Sequence, residues 1–280
     1  MKSIFVPVEL HSSIDSVLGT AAHLARQFGS NIEGAPLGPD LPDLVAFDMP
    51  VSWTASDQNA WREIADEAHR KFESYMMENG VPLHAPGGPV GATPTCSWSG
   101  ENSLGDSQAA AMARAFDIAI MGRPGSDRGD PRMATAEAAI FESGRPVLLA
   151  PATPVKPFGD TIVISWNQST ETARAVAFAM PMLLKAKSVL VLTIEGFGVD
   201  GPPGEALARS LRFNGVNAEA VTKQKNGRSD GEAILEQTSK LGGDMLIKGA
   251  YTQSRLRQMI FGGATSHILA KAQIPVLMAN

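Results

Sequence analysis

The chain opens on a short apolar run, residues 4–8, then Ser12 and Ser13, then apolar residues at helical spacing up to a stop at Gly29. Serine before a helix and glycine after it supply the caps that helix ends require. The opening therefore predicts strand, loop and helix. Residues 31–37 predict a second strand, and the stretch 38–54, with Pro39, Pro42 and Pro50 after Pro36, predicts a loop excursion. Trp61, Ile64, Ala65, Ala68, Phe72 and Met76 recur at helical spacing, so 57–79 predicts a long helix ended by Gly80. A Pro/Gly-rich loop over 82–94 leads to a strand at 95–98, an alanine-rich helix at 103–116, and strands at 117–121 and 146–150 flanking a helix at 135–142.

The pattern then restarts. Strands are predicted at 161–165, 188–194, 217–222, 244–248 and 275–278. The intervening helices are predicted from the Ser169/Thr170 cap to about 185, then at 204–213, 230–241 and 266–271. Strands alternating with helices imply parallel pairing, and strands that are apolar throughout imply a sheet covered on both faces. Right-handed crossovers then give a doubly wound sheet in each half.

The restart is an internal repeat. Phe116-Asp117-Ile118-Ala119-Ile120-Met121-Gly122 matches Gly243-Asp244-Met245-Leu246-Ile247-Lys248-Gly249 at an offset of 127, and Pro146-Val147-Leu148 matches Pro275-Val276-Leu277 at 129. The opening strands sit 158 apart, so the first half carries roughly 30 extra residues in its middle, within the excursion and the long helix. Two units follow, 1–152 and 160–280, joined by a linker at about 151–160 that holds Pro151, Pro154 and Pro157.

Composition narrows the classes. The 280 residues carry 24 basic and 29 acidic side chains, a net charge of −5, with 44% hydrophobic residues. Such a mix excludes a disordered chain and argues against a duplex-DNA binder, which carries a basic stripe. One cysteine, Cys96, excludes an intrachain disulfide framework and a cysteine-rich metal site. With no signal-peptide pattern and no apolar run long enough to span a bilayer, a cytoplasmic protein is expected.

The stretch Ile247-Lys248-Gly249-Ala250-Tyr251-Thr252, continuing to Gly262-Gly263-Ala264-Thr265, resembles the nucleotide-binding motif of the universal stress protein family, and the repeat resembles its tandem form. The family motif is a glycine, two residues, a glycine, nine residues, a glycine and a serine or threonine; Gly249 and Gly262 hold the first and third glycine positions. The resemblance implies a five-stranded parallel sheet of order 3-2-1-4-5 in each half, with helices on both faces. It implies that the halves pack like the family's homodimer. It also implies a site for an adenine nucleotide, ATP with Mg, in the second half, at Ser165, Trp166, Asn167, Ile194, Lys248, Gly249, Tyr251, Thr252, Gly262, Gly263, Ala264 and Thr265. A glycine-rich turn between strand and helix suits this role, because backbone N–H groups there can face phosphate oxygens.

The sequence departs from the motif in identifiable places. Thr252 replaces the second glycine, Gly263 replaces the hydroxyl residue, and Asn167 stands where an acidic residue often follows the first strand. In the first half, Glu9 takes the acidic position, Gly122 and Gly125 match the first two glycines, and Met133 stands at the third. With Asp127, Asp130 and Glu137 nearby, the first half reads as a degenerate phosphate site.

Other chemistry is sparse. The five histidines, His11, His23, His69, His84 and His267, show no metal-ligand spacing. Cys96, placed on an inner strand, reads as a buried small hydrophobe rather than a nucleophile. Arg255 and Arg257 could neutralise phosphate or sit in a solvated loop, and Phe47, Trp53 and Trp61 could form a lid or pack on their own domain. Three functions follow: a stress-response protein that binds ATP in its second half and regulates an unknown protein partner, a nucleotide-free interaction protein with both sites eroded, or a slow ATPase. The last needs a base and a positioned water, for which the sequence offers no residue. No nucleic-acid or membrane partner is expected, and the chain could form a further homodimer.

Overall fold

Unbroken apolar runs become the strands at the centre of the sheet. The computed structural model describes residues 1–38, 55–84, 91–100, 102–125, 127, 129–154, 156–250 and 264–280, the side chains of 55–60 excepted. In the first half it shows β1 (Ser3–Val8), α1 (Ile14–Phe28), β2 (Asn31–Pro36), α2 (Ala55–Glu78), β3 (Thr95–Trp98), α3 (Asp106–Ala113), β4 (Ile118–Gly122), α4 (Met133–Glu142) and β5 (Val147–Ala150). The second half shows β6 (Thr161–Ser165), α5 (Thr170–Leu183), β7 (Ser188–Ile194), α6 (Gly204–Phe213), β8 (Ala218–Lys223), α7 (Asp230–Lys240), β9 (Met245–Gly249), α8 (Ala264–Lys271) and β10 (Val276–Ala279). Of the proline-rich excursion only residue 38 is described, so Phe47 and Trp53 lie outside the described residues.

The sheet order is β3-β2-β1-β4-β5-β10-β9-β6-β7-β8. Each half has the expected 3-2-1-4-5 order, and every pair within a half is parallel. The halves join through one antiparallel pair, with Val276 opposite Leu149, Leu277 opposite Leu148 and Met278 opposite Val147. Leu148 and Leu277 are equivalent positions of the repeat, 129 residues apart, so a local two-fold axis runs between them. The result is one continuous α/β sheet rather than two adjacent ones. One face packs on α1, α2, α5 and α6 through Val17, Leu24, Phe72, Val176 and Leu211. The other packs on α3, α4, α7 and α8 through Ala109, Ile140, Ile234 and Ile268.

The same acidic residue anchors both halves. Asp117, just before β4, accepts hydrogen bonds from the N–H groups of Lys2 (2.5 Å) and Ser3 (3.1 Å). Asp244, just before β9, accepts from Gly159 (2.9 Å), Asp160 (3.1 Å) and Thr161 (3.0 Å). Each carboxylate thus ties the start of the first strand of its half to the fourth. Burial pushes the Asp117 carboxyl up, but its bonds to backbone N–H groups outweigh this and hold it below the ordinary carboxylate value.

Two expectations need correction. Strand β3 is an edge strand, not an inner one. Cys96 is nevertheless fully buried, because α2 covers it and the segment at 82–84 lies alongside: the Cys96 N–H donates to Pro82 (2.9 Å) and the His84 N–H to the Cys96 carbonyl (2.7 Å). Burial and the charge of Glu73 push its thiol up to about 11, in keeping with an unreactive core residue. Strand β8, AEAVTK, is not apolar throughout; at the opposite edge it exposes Glu219, Thr222 and Lys223. An edge strand pairs on one side only, so polar residues there have access to water.

Removing the Asp244 carboxylate leaves three backbone donors at the head of β6 without their acceptor. Asp244→Ala is expected to lower the unfolding free energy by about 2 kcal/mol or more. Urea denaturation of the variant beside the parent protein measures this, and an unchanged midpoint would contradict the anchoring role.

Candidate functional site

The site to test lies where β6 and β9 end side by side, the point at which strand order reverses in the second half. In a doubly wound sheet this is the default crevice for a ligand. Strand β6 ends at Ser165, and the chain turns through Trp166, Asn167 and Gln168 into the Ser169 cap of α5. Gln168 adopts φ 66°, a left-handed conformation uncommon outside glycine. Ser169 caps the helix by accepting from the Thr172 N–H (3.2 Å).

Asn167 organises this turn. Its Oδ1 accepts from the Ser169 N–H (3.3 Å), the Ser169 hydroxyl (2.8 Å) and the Thr172 hydroxyl (2.5 Å). The Asn167 carbonyl oxygen is therefore engaged within the turn, and the Thr172 Oγ1 in turn accepts from the Gly249 N–H (3.3 Å). The loop after β7 folds over the same turn: the Val199 N–H donates to the Asn167 backbone carbonyl (3.1 Å), and the Trp166 indole N–H to the Pro202 carbonyl (2.9 Å).

Gly249 has a packing reason to be glycine. A Cβ there would overlap the Thr172 backbone nitrogen and lie 2.7 Å from the Thr172 Oγ1 and 2.8 Å from the Glu171 carbonyl carbon. Its open side is filled by the first turn of α5 rather than facing the crevice.

Lys248 is the feature that sequence reading undervalued. It is 5% exposed, and its Nζ donates to the Gly249 carbonyl (2.7 Å) and the Thr265 hydroxyl (2.8 Å). Among the described residues no carboxylate pairs with it. Desolvation alone lowers its pKa to about 8. Thr265 lies in the first turn of α8, so the ammonium sits beside the positive end of a helix dipole. The sequence signal was available in the repeat: the equivalent position on β4 is the apolar Met121.

Of the expected site residues, the structure brings together Asn167, Lys248, Gly249, Ala264 and Thr265 around the ends of β6, β9 and the start of α8. Ser165 ends β6 buried, Trp166 packs into the core on the α5 and α6 side, and Ile194 ends β7 within the α7 and α8 side. Tyr251, Thr252, Gly262 and Gly263 lie outside the described residues, as do Arg255 and Arg257. For a nucleotide the donor set fits its phosphates better than its ribose: a buried cation and a helix N-terminus suit an anion, whereas the Asn167 carbonyl already has partners.

The corresponding place in the first half is filled by its own loop. Pro131 overlaps the position a Cβ of Gly122 would take, and the Asp130 carboxylate does the same at Gly125. The Asp130 Oδ2 also accepts from the Asp127 N–H (3.0 Å). Glu9 pairs with Arg132 (3.0 Å), which pairs with Asp106 (2.9 Å), and Asp106 accepts from the Thr135 hydroxyl (2.7 Å). His11 accepts at Nδ1 from the Ser13 N–H (3.1 Å), and desolvation lowers its pKa to about 4 despite the charge of Asp130.

Taken together, the fold and the paired strand ends define a tandem doubly wound α/β protein with one charged and one self-filled crevice. Residues 160–280 match the family model of the universal stress protein family. A stress response protein of Bacillus subtilis (strain 168), NhaX, is 38% identical over 49 residues, 18% of this chain and 30% of that protein. A universal stress protein from Archaeoglobus fulgidus DSM 4304 superposes on 99% of this chain and 96% of its own, with a TM-score of 0.73 at 13% identity. A functionally unknown protein from Pseudomonas aeruginosa PAO1 superposes on 100% of this chain and 92% of its own, with a TM-score of 0.51 at 14% identity. No helix among the described residues is long and apolar enough to cross a membrane.

Two measurements follow from this geometry. Gly249→Ala forces α5 away from β9 and is expected to cost about 1–3 kcal/mol in thermal or urea unfolding, with or without any ligand. His11 has a folded pKa below its unfolded value, so unfolding takes up a proton between pH 6.5 and pH 4 and stability falls as the pH drops through that window. The expected loss is up to about 3 kcal/mol relative to His11→Gln; parallel pH dependence in the two proteins would contradict a buried neutral imidazole.

Proposed function

We propose that the protein is a cytoplasmic tandem universal stress protein that binds an adenine nucleotide, ATP with Mg, in its second half. Occupancy of that half biases its conformation and its contact with a protein partner. The match of residues 160–280 to the universal stress protein family model supports a stress-response role. The observation that carries the nucleotide reading is the placing of Thr265 in the first turn of α8, at the carboxyl end of β9 beside the Asn167 turn. A helix N-terminus there directs N–H groups at a bound anion, and Gly249 and Gly262 keep the motif's outer spacing in the sequence. Bound nucleotide would supply phosphate charge; Asn167, Lys248 and Thr265 are the described residues placed to hold it.

One observation favours the second reading, a nucleotide-free interaction protein: the Asn167 carbonyl and the open side of Gly249 are already engaged internally. Calorimetric titration with Mg-ATP of the intact protein and of Gly262→Asp separates the two. Binding tighter than about 1 mM by the intact protein, lost in the variant, is the expected result; no binding by the intact protein selects the nucleotide-free reading.

A further inference from the structure

We propose that Lys248 is the charge-selecting residue of the second half, a buried ammonium held by the Gly249 carbonyl and the Thr265 hydroxyl to neutralise a phosphate group at the first turn of α8. This rests on the nucleotide reading above and adds the residue that distinguishes a phosphorylated ligand from its nucleoside.

An ammonium withdrawn from water is unfavourable unless it is paired with an opposite charge. Among the described residues Lys248 has two neutral acceptors for three N–H donors, and the adjoining helix end adds positive potential. Its own surroundings on the sheet, Met278 beside it on β10 and Leu246 two residues earlier, supply no charge.

The neighbouring elements do not supply one either. On α7, Asp230 pairs with Lys225 (2.5 Å), Glu236 pairs with Arg228 and Lys240 (2.9 and 3.0 Å), and Glu232 accepts from Ser229 in a capping box. On α8, His267 packs against Gly231 and interacts with Glu232, while Lys271 is a further cation in the last turn. On α5, Glu171 is bonded by the Thr170 hydroxyl; on α4, burial raises the Glu137 carboxyl. None of these groups forms an ion pair with Lys248 among the described residues.

The repeat provides the contrast. At the matching place on β4 the first half has Met121, also buried, and there the loop's own Asp130 carboxylate occupies the crevice. The half that carries its own anion has an apolar residue; the half with the cation has, among the described residues, no carboxylate beside it. A phosphate bound at α8 would complete the second arrangement. The lowered pKa of Lys248, about 8, fits an ammonium waiting for such a charge, since a bound anion raises it again.

The test uses Lys248→Met, which places the first half's residue in the second half. Calorimetry at pH 7 with Mg-ATP and with adenosine is expected to show at least a tenfold loss for ATP, with adenosine changed less than about twofold. At pH 8.5 the parent protein is expected to take up a proton on binding ATP, read from titrations in two buffers of different ionisation enthalpy. That measurement needs no variant and stands even if Lys248→Met does not fold. Equal losses for ATP and adenosine, or ATP binding without proton uptake at pH 8.5, overturn the role of Lys248 while leaving nucleotide binding intact. Absence of any ATP binding by the parent protein overturns both.

Discussion

The antiparallel pairing of β5 with β10 is the constraint on which the molecule depends. Three residue pairs, centred on Leu148 and Leu277, convert two five-stranded sheets into one of ten strands. Both joined strands are buried on each face, so their backbone groups have no water to fall back on and must pair with each other. The joint also lets one half brace the other. Arg123, in the loop after β4, donates to the Leu269 carbonyl near the end of α8, so a side chain of the first half holds the far end of the helix whose start faces the second crevice. A cation suits that end of the helix.

The two crevices show how one fold accommodates opposite electrostatic solutions. In the first half Glu9, Arg132 and Asp106 neutralise one another, and Asp130 and Pro131 fill the space beside the glycines. In the second, the turn around Asn167 is satisfied by hydroxyl and backbone groups, and the charge that the described residues bring near it is the buried Lys248 cation. Fold-level likeness to other proteins does not decide between these arrangements; the side chains at the strand ends do.

Much of the fold was legible because the apolar strands and the capped helices repeat in register. Element order and the 3-2-1-4-5 arrangement follow from that repetition together with the family resemblance. The joining of the sheets was not legible: the 147–150 and 276–279 strands look alike in sequence whether they pair with each other or with nothing. The edge position of β3 was missed because Cys96 is as apolar as a central residue, its cover coming from α2 and from the 82–84 segment. At the site, glycine spacing pointed to Gly249 for its approach to a ligand, whereas its neighbour is Thr172 of α5, a contact 77 residues away in sequence. The asparagine at 167, where the family often has an acidic residue, was visible, but its partnership with Ser169 and Thr172 depends on a turn whose left-handed residue is Gln168 rather than glycine.

The two rims of the sheet differ in a way that bears on assembly. A two-fold dimer of identical subunits has identical outer strands, so any partner strand that fits one fits the other and growth can proceed in both directions. Here β3 is lined by the chain's own 82–84 segment, while β8, among the described residues, pairs with β7 alone and carries Glu219 and Lys223 along its exposed length. In a chain with two unequal halves the two rims are not equivalent. A second copy added edge to edge through β8 would leave β3, with its 82–84 cover, at both rims.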